Sequence, residues 1–153
     1  GWFLPVVPGT QFVTVGGAIA NDVHGKAHHS AGSFGHTVLS MELMRTDGQV
    51  LHCSPERNAA WFEATVGGMG LTGVITRVRL KLRKVAGPWL DAETVPFDSL
   101  ESFFTLSKEA KSRFEYTVSW IDCVSGGRGR GVFFQGNHGD KTDAVRAPRP
   151  RTF

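Results

Sequence analysis

The stretch that decides the fold is Val13-Thr14-Val15-Gly16-Gly17-Ala18-Ile19-Ala20-Asn21-Asp22-Val23-His24-Gly25-Lys26. Thr14 is a good helix N-cap, so the pattern predicts a short helix from about Val15 to Ala20. Its small residues let a second backbone or a ligand approach closely. Unpaired N–H groups and the helix dipole there would favour a pyrophosphate, but a tightly packed Gly/Ala helix explains the same residues equally well. The residues alone leave both interpretations open.

The residues that follow this stretch predict a hairpin between two helices and then a strand. Residues 22–34 form a polar loop rich in His and Gly, and residues 37–53 predict a β-hairpin that turns at Asp47-Gly48. Ser54-Pro55 is expected to start a helix that continues to Val66. From Gly73 to Arg83, apolar and basic residues alternate, which predicts a half-buried strand.

A second unit is expected after Pro88, with a strand at 89–95, a helix at 98–110 and strands at 114–121 and 131–136. Asp98 with Glu101 predicts a capping box at the start of that helix. The order of strands and helices along the chain predicts an α+β fold.

Two motifs suggest other functions. Residues 68–73 spell G-x-G-x-x-G, the dinucleotide fingerprint, but they follow a predicted helix and precede a strand, which is the reverse of the required order. A tight helix-to-strand corner is therefore the favoured interpretation. His24, His28, His29 and His36 could converge on a metal, although no carboxylate or Cys completes a clear ligand set. We expect no metal there, and keep a His-loop metal protein as a lesser alternative.

Composition narrows the class of protein further. The 153 residues carry 17 Lys and Arg against 14 Asp and Glu, and the resulting excess of +3 lies within residues 141–153. Because the first 140 residues carry no net charge, we expect no nucleic-acid partner. We predict that residues 140–153 form a disordered tail. No run of residues is long and apolar enough to predict a membrane span. Cys53 and Cys123 suggest neither a disulfide framework nor a zinc site, so a cytoplasmic location is expected.

At its motifs the chain resembles the vanillyl-alcohol oxidase/p-cresol methylhydroxylase family of FAD enzymes. The resemblance covers roughly residues 1–85, and a weaker similarity continues from Trp120 to about His138. Beyond the opening stretch, it includes V-P-G-T at 7–10, H-H-S-A-G-S-F-G at 28–35, T-D-G at 46–48 and A-T-V-G-G-M-G-L-T-G-V-I at 64–75.

The resemblance implies a noncovalent FAD lined mainly by backbone groups. The residues implied as its contacts are Gly9, Thr14, Val15, Gly16, Gly17, Asn21, Asp22, Val23 and His24, with Val74 near the adenine end. His24 would lie close to the flavin. The resemblance names no catalytic residue in this chain.

The resemblance also implies a domain plan and a reaction. Residues 1–86 would be the second part of an FAD-binding domain of the p-cresol methylhydroxylase (PCMH) type, with antiparallel sheet and flanking helices, and residues 87–139 would begin an α+β substrate domain. The parent enzyme would oxidise a CH–OH group of a sugar or other alcohol by hydride transfer to the flavin. Because further parts of both domains are expected outside the chain, we expect weak FAD binding and little turnover from it alone. A remnant of such a domain, without catalytic activity, is the main alternative.

Overall fold

The computed structural model describes residues 1–124 and 126–140. These form two compact units, one from Phe3 to Arg83 and the other from Gly1–Trp2 together with the residues from Lys84 onward. Nearly all of the predicted tail lies outside the described residues. None of the helices within the described residues is long and apolar enough to cross a membrane. The domain plan given above stays a prediction.

The Phe3–Arg83 unit is built on a three-stranded antiparallel sheet. Its strands are β2 (Val38–Met44), β3 (Val50–Cys53) and β4 (Val74–Leu80), in the spatial order β3-β2-β4. The predicted hairpin is confirmed, because Met44 pairs with Val50 across a turn in which Gly48 has a φ of +83°. A second sheet of two strands joins β1 (Trp2–Phe3) to β5 (Arg83–Lys84).

Three short helices accompany the sheet: α1 (Val15–Ala20), α2 (His28–Ala31) and α3 (Ala59–Thr65). A 3-10 turn at Phe34–Thr37 leads into β2. Their apolar side chains and the inner face of the sheet share one core, because alternate residues of a strand point to the same face. The buried members of this core are Val6, Ala18, Ile19, Phe34, Val38, Met41, Leu43, Cys53 and Phe62.

The unit that follows Lys84 is one helix on a three-stranded sheet. The helix is α4 (Leu100–Ala110), and the strands are β6 (Leu90–Phe97), β7 (Tyr116–Ile121) and β8 (Gly131–His138), in the order β6-β8-β7. All neighbours are antiparallel. The core of this unit lies between the helix and one face of the sheet and buries Phe97, Ala110 and Phe133. The predicted α+β class is confirmed for both units.

Three local expectations are wrong in detail. The loop at 22–34 contains helix α2, although its glycines argued against any helix there. Residues 54–57 form a turn, because Ser54 and Arg57 exchange backbone hydrogen bonds, and the helix begins only at Ala59. The expected strand up to Arg83 is interrupted after Leu80 and resumes as β5.

The cap of α4 also differs from the expected one. Ser99, not Asp98, is the N-cap, because its hydroxyl accepts a hydrogen bond from the Ser102 N–H at 3.2 Å. The Asp98 carboxylate accepts instead from the Ser102 hydroxyl, and this hydrogen bond is the largest cause of a lowered pKa at Asp98.

Candidate functional site

Hydrogen bonds hold helix α1 at both ends. The partner at its start is a neighbour in the sequence, and the partners at its end come from a distant segment. At its start, the Thr14 hydroxyl accepts a hydrogen bond from the Gly17 N–H at 3.0 Å, which confirms the predicted cap. At its end, the N–H groups of Gly67 and Met69 donate to the carbonyls of Ile19 and Ala20 at 3.0 and 2.7 Å. The G-x-G-x-x-G corner therefore supports this helix.

The first turn of α1 presents open hydrogen-bond donors. Within the part of the chain that the structure describes, the N–H groups of Val15 and Gly16 have no hydrogen-bond partner. The apolar side chains around them are open too, since Val13 and Val15 are 37% and 45% exposed. Donors and apolar side chains that remain exposed together are suited to a ligand with an anionic group and a flat or apolar body.

The extended segment before α1 runs against the histidine loop. Gly25 packs directly on the Val7 carbonyl, so closely that a Cβ at position 25 would overlap its oxygen. This contact places Val7 beside Gly25, the residue that follows His24. Gly9 is exposed, with no atom within 4 Å of where its Cβ would be, so one side of it is open space.

Three of the residues implied as cofactor contacts use their side chains within the protein. The Asn21 amide donates to the Gly17 carbonyl at 2.9 Å. Asp22 has a positive φ of 41° and accepts from the Gly35 N–H at 2.8 Å, which fixes the start of the 3-10 turn. Val23 packs against the core. The backbone N–H groups of the same three residues also donate within the protein, to the carbonyls of Gly17, Ile19 and Ala18.

Val74 lies apart from this group. It pairs with Met44 at the end of the sheet and is 58% exposed, whereas Ile75 faces the core. A Cβ on Gly16 would lie 3.9 Å from the Ile75 Cβ, so Ile75 is the strand residue under the helix. The alternation of residues along β4 could have identified Ile75, because it indicates which side chains face the core.

The histidine loop is not arranged as a metal site. The described residues contain no group of three or more His, Cys, Asp or Glu side chains placed to hold a metal ion. The His24 and His28 rings lie against each other, with centroids 5.1 Å apart. His36 instead closes the Ser33 cap, accepting from its backbone N–H at 3.2 Å. His24 is exposed and available to a ligand.

The cap of α1 gives a first testable prediction. Thr14→Ala removes the acceptor for the Gly17 N–H, so we expect the free energy of unfolding to fall by about 1 kcal/mol. Urea denaturation followed by circular dichroism measures this loss. The control is Thr10→Ala, whose exposed hydroxyl accepts one longer hydrogen bond of 3.3 Å, and which should cost less than about 0.5 kcal/mol. Equal losses would show that the cap does not stabilise α1.

The similarity to known proteins includes the segment that carries α1 and the histidine loop. The sequence pattern of the family described as "FAD binding domain" matches residues 1–54, which include α1 and the histidine loop. Decaprenylphosphoryl-beta-D-ribose oxidase of Mycolicibacterium smegmatis is 42% identical over 127 residues, which cover 82% of this chain and 28% of that protein.

Two further relatives are more distant. An uncharacterized Streptomyces coelicolor protein from the mprA 5′ region is 39% identical over 140 residues, 90% of this chain and 38% of its own length. Cytokinin dehydrogenase 5 of Arabidopsis thaliana is 28% identical over 118 residues, 72% of this chain and 21% of its own length. The chain thus spans less than two fifths of each of these relatives.

The open donors of α1 and the exposed Gly9 and His24 fit a large anionic cofactor. The matching family pattern falls on these same residues. The segment of residues 1–54 therefore belongs to an FAD-binding domain, whose cofactor is FAD, and the chain is similar to FAD-linked oxidases of the p-cresol methylhydroxylase type.

Proposed function

We propose that this chain supplies part of the FAD site of an oxidoreductase that oxidises a CH–OH group of a small alcohol or sugar. The observation that carries the proposal is the first turn of α1. Its unpaired Val15 and Gly16 N–H groups lie in the segment that matches the FAD binding domain. A diphosphate is the anionic group of FAD that such donors suit.

Each implied contact has a defined task in this proposal. Thr14 fixes the helix start, so that the N–H groups of residues 15–17 keep their direction while a cofactor binds. Gly9 leaves room for close approach. Residues 21–23, whose N–H groups close the end of α1, are proposed to contact the cofactor through their remaining polar atoms. His24 is a polar neighbour of the flavin ring. Val74 is the contact with the weakest support, because it is exposed while its neighbour Ile75 is the strand residue next to α1.

When bound, FAD supplies the electron acceptor of the reaction. The protein contributes position and the exclusion of competing reactions, and these residues do so mainly through the backbone. No side chain of this chain is assigned the proton transfer. The substrate class is proposed from the relative that is named decaprenylphosphoryl-beta-D-ribose oxidase. Both cysteines are free, in agreement with the cytoplasmic location that we propose.

The test is a titration of the purified chain with FAD, followed by desalting and visible absorption. We expect weak but saturable binding. Replacing His24 by Ala should lower the affinity by about tenfold, as expected for the loss of one polar contact to a bound ligand. The control is His52→Ala, which removes an exposed imidazole from the other face of the sheet and should leave FAD affinity unchanged.

Three outcomes would count against the proposal. Equal affinities of the two histidine variants would remove His24 from the site. A folded chain that binds no FAD at any concentration would favour a remnant without cofactor. A melting temperature that rises with zinc, and does so only while His24 and His28 are present, would favour the metal alternative.

A further inference from the structure

A second pocket lies on the face of the sheet that points away from α1. Its volume is about 350 Å³. The inner face of the sheet carries Met41, Leu43 and Ile75, which pack in the core with α1. The pocket is lined by polar residues of the opposite face, including Ser40 and Glu42 of β2. The core residues Met41, Cys53 and Val78 also contribute to its lining. It is therefore separate from the proposed FAD site.

Three arginines meet at this pocket. Arg77 and Arg79 come from β4, and Arg57 comes from the turn after β3. The single carboxylate of the pocket, Glu42, lies between His52 and Arg77, with its Oε1 at 3.7 Å from the imidazole Nδ1 and 3.4 Å from the guanidinium Nη1. This ion pair compensates one arginine and leaves the charges of the other two.

Arg57 and Arg79 have no carboxylate partner within residues 1–124 and 126–140. Arginines on an exposed strand usually need no partner, because water solvates them. Here, however, the two unpaired guanidinium groups line one concave surface together with a third. Like charges that converge in a pocket repel each other, and an anion bound between them removes that repulsion.

The position of Arg57 is fixed by several local contacts. Ser54 and Arg57 are joined by two backbone hydrogen bonds, of 2.8 and 3.3 Å, which close the 54–57 turn. The Asn58 amide then donates to the His52 carbonyl at 2.9 Å and ties this turn to β3. Arg57 lines the pocket together with Cys53, whose thiol pKa is raised by burial and lowered in part by the Arg57 charge.

The hydroxyl group of Ser40 adds a further hydrogen-bond donor to those of the three arginines. The Ser40 hydroxyl lines the pocket and has no hydrogen-bond partner within the described part of the chain. Ser40 follows an irregularity in the pairing of β2 with β4, where the register shifts between Val38 and Ser40. Such bulges redirect side chains, and this one leaves Ser40 on the same face as Arg79, its partner across the strands.

From this arrangement we propose that the pocket between Arg57, Arg77 and Arg79 binds a phosphate group, either free phosphate or a phosphomonoester. Guanidinium groups match phosphate oxygens with paired hydrogen bonds, and a serine hydroxyl adds a further donor. The pocket is small, and Glu42 stands inside it. A long polyanion would have to pass that carboxylate, so a compact dianion suits the site better than a nucleic acid.

The experiment is a titration of the isotopically labelled chain with inorganic phosphate at constant ionic strength, followed by backbone amide chemical shifts. We expect saturable shifts confined to residues around Ser40, Arg57 and Arg79. Arg79→Gln should weaken the affinity by about tenfold, and Arg79→Lys should weaken it less, because it keeps the charge but loses the paired hydrogen bonds.

The matched control is Lys81→Gln, which removes one positive charge just beyond the end of β4 and outside the pocket. It should change the affinity by less than about twofold, because exposed charges act weakly at a distance. A repeat with glycerol phosphate separates the two sources: tighter binding assigns a phosphomonoester, and weaker binding assigns free phosphate.

Shifts that do not saturate, or that decrease equally in the Arg79→Gln and Lys81→Gln variants, would overturn the proposal, since both mean general screening of charge. Arg57→Gln provides a second variant from a different element, and it too should weaken binding. Neither outcome depends on FAD, so the phosphate pocket and the proposed FAD site can fail separately.

Discussion

Replacing Phe34 by Ala should destabilise the Phe3–Arg83 unit by about 3–5 kcal/mol, the usual cost of removing a buried aromatic side chain. Phe34 is 1% exposed and is the largest side chain among the fully buried residues. It stands where the histidine loop enters the 3-10 turn, and its N–H donates to the Val23 carbonyl at 2.8 Å. A cavity there would loosen both the core and the loop that carries His24.

Urea denaturation measures this effect, and the same phenylalanine-to-alanine change at Phe12 is the control. Phe12 is 66% exposed, so its loss should change the free energy of unfolding by less than about 0.5 kcal/mol. Because small domains are stable by only about 5–15 kcal/mol, the Phe34 variant could lose most of its cooperative transition. Similar midpoints for the two variants would show that the core is not centred on Phe34.

The second large effect is expected from Gly25→Ala. A Cβ at position 25 would overlap the Val7 carbonyl oxygen, which is a backbone atom and cannot turn away as a flexible side chain could. The two segments must separate, and we expect a loss of about 3 kcal/mol or more. FAD binding should weaken as well, because the contact joins the segment that carries Gly9 to the loop that carries His24.

Gly9→Ala is the control for this prediction. Neither glycine has a positive φ, so the backbone conformation is open to alanine at both positions. At Gly9 the added methyl group meets no atom within 4 Å. Its stability should stay within about 1 kcal/mol of the parent, with a small gain possible because alanine restricts the unfolded chain. Thermal unfolding compares the two. An unchanged Gly25→Ala protein would mean that the close contact is absent.

Much of the fold follows from local patterns. The hairpin at 38–53 was predictable because the Asp47-Gly48 turn and the alternation on both sides of it agree, and both act over a few residues. The start of α1 was predictable for the same reason, since Thr14 caps a helix that begins at the next residue. Where a competing local bond exists, the prediction failed: Ser54 closes a turn with Arg57 instead of starting a helix.

The candidate site was predictable only in part. The motifs that resemble those of FAD enzymes identified the segment that carries the site. The matching family pattern covers residues 1–54, which include the implied contacts from Gly9 to His24. It did not show that Asp22 and Asn21 use their side chains within the protein, or that Val74 points away from α1. These facts depend on partners such as Gly35, and no sequence pattern linked those residues to each other.

The sequence by itself determined most of the helices, strands and turns, and which family the cofactor segment resembles, because capping, alternation and turn chemistry act between near neighbours. Only the tertiary structure decided which distant groups meet. Gly67 and Met69 reach the end of α1, Val7 lies on Gly25, and three arginines from two elements meet at one pocket. Such contacts join residues far apart in the chain, and their geometry exists only once the sheet and its core have formed.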